Sequence, residues 1–147
     1  MYLDDLEYSN TLPSGFTVTF NGNGATSGTM ANQTAATTTA LTTNAFVRTG
    51  YTFAGWATTA GGSLAYNDGD SYAFTANTTL YARWTPNNNT ITFDKNAVDA
   101  TGTMSNQTIA TAASALLNAN GFSRTGYTFA GWATTPSGTV AYLDGAS

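Results

Sequence analysis

The sequence contains no cysteine and no histidine, and it carries little charge of either sign, with eight acidic and four basic residues among 147. Without cysteine, no disulfide bond can stabilise the fold. Without histidine and cysteine, the commonest general base and the thiol nucleophile of enzymes are missing. Four basic side chains are also too few to neutralise a phosphate backbone. We therefore expect no enzymatic activity, no cofactor and no nucleic-acid partner.

Long apolar runs are missing as well, so the sequence predicts no membrane-spanning segment. The first five residues, Met1–Asp5, carry negative charge where a signal peptide would carry positive charge. Thr, Asn, Ser, Gly and Ala dominate the polar positions, while aromatic residues recur regularly between them. This composition is typical of a secreted protein rich in β-structure, and we expect an extracellular or cell-surface location.

An internal repeat is the most informative feature present. The twelve-residue segment RTGYTFAGWATT occurs at Arg48–Thr59 and again, unchanged, at Arg124–Thr135. Such identity indicates tandem copies of one small domain. We assign residues 16–84 to the first repeat, 85–89 to a linker and 90–147 to the second repeat. Residues 1–15 form a separate N-terminal strand and linker in this scheme.

Alternating sequences predict the strands of each repeat. Thr17–Phe20 and Thr90–Phe93 alternate polar and apolar residues, as half-buried strands do. Tyr51–Trp56 and Thr79–Trp84 are the other predicted strands, the latter being the last of the first repeat. Gly55 within a strand sequence predicts a bulge or a close approach of another backbone.

Two stretches rich in alanine and threonine, residues 35–45 and 109–121, are interpreted as short helices or helical turns. The second contains three alanines and two leucines between residues 112 and 117, which are good helix formers. The first has three successive threonines, which favour a helix less.

The repeated block resembles a known family. Its pattern is Phe-x-Arg-x-Gly-Tyr-x-Phe-x-Gly-Trp, followed by Gly-x-x-x-Tyr and Leu-Tyr-Ala-x-Trp. In the first repeat the pattern is carried by Phe46, Arg48, Gly50, Tyr51, Phe53, Gly55, Trp56, Gly62, Tyr66, Leu80, Tyr81, Ala82 and Trp84. This pattern is similar to the Listeria–Bacteroides repeat, also called the internalin B-repeat. The core motif positions in both copies are Tyr51, Phe53, Trp56, Tyr81, Trp84, Tyr127, Phe129 and Trp132.

The resemblance implies an α+β fold with two small β-grasp-like (ubiquitin-like) repeats, each a mixed sheet wrapped around a short helix. It also implies tandem occurrence in secreted and surface proteins of bacteria, as stalks and adhesive modules. No catalytic residues belong to the motif, so none are expected here.

The second copy follows the pattern as far as Tyr142 and stops at Ser147, which corresponds to Ser71. The counterpart of Tyr72–Trp84, including the last strand, is missing from it. Aligning Phe20 with Phe93 places Met1–Asn10 where the last strand of a preceding repeat would lie.

Three side chains of that N-terminal segment, Tyr2, Leu6 and Tyr8, share one face of a strand by the two-residue period. They form the candidate donor strand. The fit has three defects: Asp4 lies on the same face, Glu7 aligns with Leu80, and Thr11 aligns with Trp84. Three interpretations stay open: a cut through a longer array, donation of the strand to a neighbouring subunit, and closure within one chain.

The leading hypothesis is a bacterial extracellular filament or stalk subunit that assembles head to tail with itself. The alternative is a fragment of a long cell-surface adhesin whose repeats act as spacers or as modules that bind a host or cell-surface ligand.

Other chemical signals are weak. Asp68 and Asp70 could offer oxygens to calcium, but Asp-Gly-Asp is foremost a turn sequence, and we assign no metal site. Trp56 and Trp132 are interpreted as core residues and not as sugar-binding platforms. Arg48 and Arg124 each precede Gly-Tyr and are expected to stack on a neighbouring ring.

Overall fold

The computed structural model describes residues 15–147, and strands are the regular secondary structure found there. The strands are β1 (Phe16–Asn21), β2 (Gln33–Ala35), β3 (Thr39–Ala40), β4 (Tyr51–Ala57), β5 (Ser71–Tyr72), β6 (Thr78–Pro86), β7 (Asn88–Ile91) and β8 (Gln107–Ala110). The chain divides into two compact units on either side of the Thr85–Pro86 bond. In the described part of the chain there is no helix of the length and apolarity needed to cross a membrane.

The first unit is built on a mixed four-stranded sheet with the strand order β2-β1-β6-β4. β1 pairs antiparallel with β2, where Thr17 lies opposite Thr34. β1 also pairs in parallel with β6, where Phe20 lies beside Leu80. The last strand of the repeat therefore lies inside the sheet, between two other strands. β3 and β5 form a separate antiparallel pair.

The predicted α+β, β-grasp-like fold is wrong, because residues 15–147 contain no helix. Residues 35–45 hold the end of β2, the short strand β3 and irregular backbone. The Gln33 side chain donates to the carbonyl of Ala40 at 2.8 Å and accepts from the amide of Thr42 at 2.8 Å. The amide of Leu41 donates to the carbonyl of Asp70 at 2.9 Å. These bonds use the backbone groups that a helix would need for its own i to i−4 ladder.

The second predicted helix, at residues 109–121, is wrong for the same reason. The Gln107 side chain donates to the carbonyl of Leu116 at 2.7 Å and accepts from the amide of Asn118 at 2.9 Å. The amide of Leu117 donates to Ala146 at 2.7 Å. Ala112 has a φ of 62°, which a right-handed helix does not allow. Tertiary hydrogen bonds thus outweigh the helix propensity of the alanines and leucines.

The core of the first unit is centred on Trp56, which is fully buried. Its ring lies 4.9 Å from that of Phe20 and 5.0 Å from that of Phe53, measured between centroids. Leu80, from the middle of β6, is also fully buried in this core. The central strand β6 therefore contributes directly to the packing that holds the unit together.

Gly55, just before Trp56, meets a neighbouring backbone closely. Its φ is +126°, and a Cβ at this position would lie 2.6 Å from the carbonyl oxygen of Tyr66 and would also collide with a methyl group of Leu64. The approach arises because the amide of Trp56 donates to that same carbonyl at 2.8 Å. The sequence prediction of a bulge or close approach at Gly55 is confirmed.

We expect Gly55→Ala to destabilise the first unit by about 1–3 kcal/mol through backbone strain and by about 1–3 kcal/mol more through the steric contact. Urea denaturation, followed by far-UV circular dichroism, measures the loss. Gly61→Ala is the matched control, because a Cβ at Gly61 meets nothing within 4 Å. Equal unfolding midpoints for the two variants would show that the close approach does not constrain the fold.

The second unit contains the antiparallel pair β7–β8, in which Thr90 lies opposite Thr108. This register matches the pairing of Thr17 with Thr34 in the first unit. Among residues 86–147, however, no strand lies on the other side of β7, where the first unit has β6. The second unit therefore repeats the hairpin without repeating the four-stranded sheet.

Candidate functional site: an open cleft in the second unit

One sequence stands in two settings in this chain, with a neighbouring strand beside it in the first repeat and without a described one in the second. Residues 51–57 and 127–133 are identical, YTFAGWA, yet the first copy is the strand β4 whereas the second is irregular apart from a single bridge between Trp132 and Tyr142. Local propensity cannot explain the difference, because the residues are the same. The neighbour explains it: β4 lies beside β6, and no described strand occupies that place beside residues 127–133. Among residues 15–147, therefore, the place that β6 fills beside β4 is not filled by a strand beside residues 127–133.

The vacant position is an open cleft of about 1440 Å³. Its apolar lining includes Ile91, Phe93, Phe122, Phe129, Trp132 and Val140. Pockets for small ligands usually measure about 300–1,000 Å³. The cleft is therefore larger than most small-ligand pockets.

Residues along the cleft are more exposed than their counterparts in the first unit. Tyr127 is 66% exposed and Phe129 38% exposed, whereas Tyr51 and Phe53 are half-buried. Ala57 is fully buried, and its counterpart in the second unit is exposed. These side chains are therefore more accessible to solvent than their counterparts in the first repeat.

The walls of the cleft nevertheless keep the geometry of the complete repeat. The ring of Trp132 lies 4.8 Å from that of Phe93 and 4.8 Å from that of Phe129. The corresponding distances around Trp56 are 4.9 Å and 5.0 Å. The amide of Trp132 donates to the carbonyl of Tyr142 at 2.8 Å, as the amide of Trp56 does to that of Tyr66. The side chains around Trp132 thus keep the arrangement of the complete repeat.

A pair of asparagines that sequence reasoning missed, Asn23 and Asn96, lies next to this position in the two units. In the first unit the Asn23 side chain donates to the carbonyl of Ala82, on β6, at 2.8 Å. Both asparagines have positive φ, 45° and 50°. Asn tolerates that conformation better than most residues. The sequence signal that could have identified the pair is that, in the same turn of both repeats, an Asn follows an Asn or Asp by two residues.

Comparison with known proteins identifies the repeat. The family model of the Listeria-Bacteroides repeat domain matches residues 16–83 and 90–147. The chain belongs to the Listeria-Bacteroides repeat family. No curated protein and no solved structure matches it. Repeats of this family typically occur in extracellular surface proteins.

The first Listeria-Bacteroides repeat contains the predicted motif residues Tyr81 and Trp84 on β6. The indole of Trp84 donates to the carbonyl of Gly22 at 2.9 Å, and its ring packs edge-on against Phe53 at 5.5 Å. The second repeat has no described counterpart of Tyr81 or Trp84, so Phe129 lacks this partner. The candidate donor residues Tyr2, Leu6 and Tyr8 lie outside the described residues.

The arginines of the motif stack on tyrosines in both Listeria-Bacteroides repeats. The guanidinium carbon of Arg48 lies 3.9 Å from the ring centroid of Tyr51, and that of Arg124 lies 3.9 Å from that of Tyr127. Arg124 also forms an ion pair with Asp99 at 2.9 Å. The hydrogen bond from Arg124 lowers the pKa of Asp99 below its ordinary value. The stacked pair holds the Tyr127 ring beside the cleft.

The aspartates of the repeat hold turns. A carboxylate oxygen of Asp70 accepts the amide of Asn67 at 2.6 Å, and one of Asp68 accepts the amide of Asn44 at 2.8 Å. Asp144 accepts the amide of Asn120 at 2.7 Å in the second repeat. Over residues 15–147 no three potential metal-binding side chains lie together. The oxygens considered for calcium are therefore engaged in backbone structure.

Proposed function

We propose that this chain is an extracellular structural subunit of a bacterial filament or stalk, whose copies join head to tail. The segment Met1–Asn10 of one copy enters the cleft of the second repeat of the next copy as a central strand. One observation carries the proposal: no strand of residues 15–147 fills the place beside residues 127–133 that β6 fills beside β4, while the rings around Trp132 keep the spacing seen around Trp56. The proposed role is structural and not enzymatic.

Strand addition matches the chemistry of the cleft. An incoming strand would satisfy backbone donors and acceptors on both sides, since β6 lies between β1 and β4 in the first unit. Tyr2, Leu6 and Tyr8 would enter the apolar lining from one face of the donor. Each apolar side chain that becomes fully buried contributes about 1.5–3 kcal/mol.

The contact is heterologous, because the donor segment and the cleft are different parts of the chain. Heterologous contacts repeat from copy to copy and give open filaments unless the rotation closes a ring. The proposal therefore predicts fibres or long oligomers and not a symmetric dimer.

We expect the full chain to form such assemblies, visible by light scattering after size exclusion and by negative-stain electron microscopy. Deletion of Met1–Asn10 should abolish them. Tyr8→Asp should weaken the contact by tenfold to a hundredfold, because it loses about 1.5–3 kcal/mol of apolar burial. Ser9→Asp is the matched control: it adds the same charge one residue along, on the opposite face of the strand. Equal losses from Tyr8→Asp and Ser9→Asp would contradict the assigned face.

Mixing two defective variants separates donation between chains from closure within one chain. A Tyr8→Asp chain keeps an intact cleft, and a Phe129→Asp chain keeps an intact donor. Under the proposal each variant alone stays monomeric, and the mixture forms one-to-one dimers but no fibres. Closure within a chain predicts monomers in the mixture, and that result would refute head-to-tail assembly.

The alternative is that the two repeats belong to a long surface adhesin, in which they act as spacers or as modules for a host ligand. The observation in its favour is the family itself, which is typical of extracellular surface proteins. It predicts a monomer whose state is unchanged by deletion of Met1–Asn10. The same light-scattering measurement therefore decides between the two functions.

A further inference from the structure

In the first unit, the side chain of Asn23 ties the central strand to the rest of the repeat. Its amide nitrogen donates to the carbonyl of Ala60 at 2.9 Å and to that of Ala82 at 2.8 Å. The backbone amide of Asn23 donates to the side chain of Asn21 at 2.8 Å. This bond fixes the turn and so orients the side-chain amide of Asn23. Ala82 is a fully buried residue of β6. The bond to Ala82 therefore fixes the register of β6, because it requires the carbonyl of this residue to face Asn23.

In the second unit, Asn96 has the same arrangement with one bond fewer. Its backbone amide donates to Asp94 at 2.6 Å, and its side chain donates to the carbonyl of Pro136 at 2.8 Å. A side-chain amide carries two hydrogens. The bond that Asn23 makes to Ala82 has no counterpart within residues 86–147, and both Asn96 and Pro136 line the cleft. Asn96 is thus positioned to donate its second hydrogen to an incoming strand.

The side chains of β6 show what the cleft requires. Leu80 and Ala82 are both fully buried, so this face takes a large apolar residue followed by a small one. Trp84, two residues further, donates its indole N–H to the carbonyl of Gly22 and packs against Phe53. In the second unit, Lys95 stands in the place of Gly22, and Phe129 stands in the place of Phe53. The backbone carbonyl of Lys95 and the ring of Phe129 therefore correspond to the two groups that Trp84 contacts in the first unit.

We infer that the cleft of the second unit is selective for one type of strand in one register. The strand runs parallel to β7 and presents a large apolar, a small and an aromatic residue at alternate positions. Asn96 sets the register by donating to the backbone carbonyl of the small residue. The inference deepens the proposed function and rests on its claim that the cleft accepts a strand, while leaving the source of that strand to a separate measurement.

The N-terminal segment meets this requirement only in part, and it does so best in one register. With Tyr8 in the place of Leu80, Asn10 takes the position of Ala82, where it is larger and polar, and Leu12, which is apolar but not aromatic, takes that of Trp84. With Leu6 in the place of Leu80, the ring of Tyr8 would fall on that small position, where β6 has only a methyl group and no exposed surface. The first register is therefore the one compatible with the packing.

The repeat alignment places the segment one residue differently, with Glu7 in the position of Leu80. That register would bury a carboxylate in an apolar core, which is costly without a partner. We therefore assign the register of the segment from side-chain packing and not from the repeat alignment. It follows that Asn10→Leu should prevent insertion, whereas Asn10→Ala, which restores the small residue of β6, should strengthen it.

The test uses a fluorescein-labelled peptide with the sequence of Asn77–Pro86, which is β6 with one preceding residue. Its binding to the full chain is measured by fluorescence anisotropy. The full chain carries Tyr8→Asp, which under the proposed function leaves its own cleft empty. We expect binding, and we expect protection from hydrogen exchange at residues 127–133. In the peptide, Ala82→Leu should abolish binding and Trp84→Ala should weaken it on the order of tenfold; these variants leave the protein itself unchanged.

On the protein side, Asn96→Asp should weaken peptide binding on the order of tenfold, because it replaces the donor with an acceptor while tolerating the same backbone conformation. Asn118→Asp is the matched control, since the Asn118 side chain does not line the cleft. Unlabelled peptide with the sequence of Met1–Pro13 should compete, and its Asn10→Leu version should not.

The inference is overturned if the peptide does not bind, if Ala82→Leu binds as well as the original, or if Asn96→Asp and Asn118→Asp behave alike. The proposed function fails separately, if deletion of Met1–Asn10 leaves assembly of the full chain unchanged. Selective binding of the β6 peptide together with unchanged assembly would uphold the cleft and reject only the N-terminal donor.

Discussion

Replacing Trp56 with alanine is expected to unfold the first unit at ordinary temperature. Trp56 is fully buried and lies within 5.0 Å, centroid to centroid, of the rings of Phe20 and Phe53. Removing such a side chain from a core costs about 3–5 kcal/mol. Native proteins have about 5–15 kcal/mol of stability in all, and a unit of this size without disulfide bonds lies near the lower end. The loss therefore removes most or all of its stability.

The second unit provides the matched control for this prediction. Trp132→Ala makes the same change in the same sequence, but Trp132 faces the open cleft and is only half-buried. We expect its cost to be clearly smaller in the isolated chain. Hydrogen exchange measured for fragments of each repeat distinguishes the two units within one molecule. Equal loss of protection after the two substitutions would show that β6 does not complete the core around Trp56.

Trp56→Phe should cost much less than Trp56→Ala. The indole N–H of Trp56 is buried without a hydrogen-bond partner, and so is that of Trp132. An unsatisfied buried donor costs about 1–3 kcal/mol. Phenylalanine removes this donor and keeps most of the apolar ring, so part of the lost packing is offset.

The strands of this fold could be predicted from sequence because their signal is local. Alternation marks Thr17–Phe20, and the segment lies within β1. The close approach at Gly55 was also visible, since a glycine inside a strand weakens it and is typical of a bulge or of a neighbouring backbone close by. These features depend on neighbouring residues, and the sequence contains them.

The sequence could not show that the two predicted helices do not form, because this depends on hydrogen bonds to residues distant in the chain. The backbone of Leu41 is bound by Asp70 and that of Thr42 by Gln33. Composition alone does not reveal such bonds. The recurrence of Gln33 as Gln107 was the one signal of a shared structural role, since both side chains bind the loop that follows.

The sequence predicted that the second repeat lacks its last strand, but it did not predict the shape of the cleft that results. The missing counterpart of Thr79–Trp84 was visible from the repeat, but the sequence did not show whether that strand lies at an edge or in the interior. The structure places β6 between β1 and β4, so the vacancy has two walls. Two walls bury more of a guest strand than one edge does, and they bring in Asn96, which no sequence pattern singled out.

A chain extended at its C-terminus should lose the ability to assemble. The extension repeats the sequence of Tyr72–Pro86 directly after Ser147, which corresponds to Ser71. The second unit then carries its own copy of β6, and insertion within one chain is favoured over insertion between chains by the high effective concentration of a tethered segment. We expect a monomer at concentrations where the original chain forms fibres.

The same extension should raise the stability of the second unit. Burial of the leucine equivalent to Leu80 alone contributes about 1.5–3 kcal/mol, and for a domain of this size each kcal/mol corresponds to about 4–8 °C in Tm. Residues 127–133 should become a strand, with hydrogen-exchange protection equal to that of residues 51–57. The control is an extension of the same length in which the equivalents of Leu80 and Ala82 are both aspartate.

The charged control separates the effect of strand insertion from the mere presence of extra residues at the C-terminus. It should remain able to assemble, because two aspartates cannot enter the apolar cleft and so leave it open to a neighbour. If the chain with the original extension still polymerises, the contact between subunits lies elsewhere. If the extended chain is monomeric and its residues 127–133 are protected from hydrogen exchange, the lack of a central strand accounts both for the lower stability of the second unit and for the contact between copies.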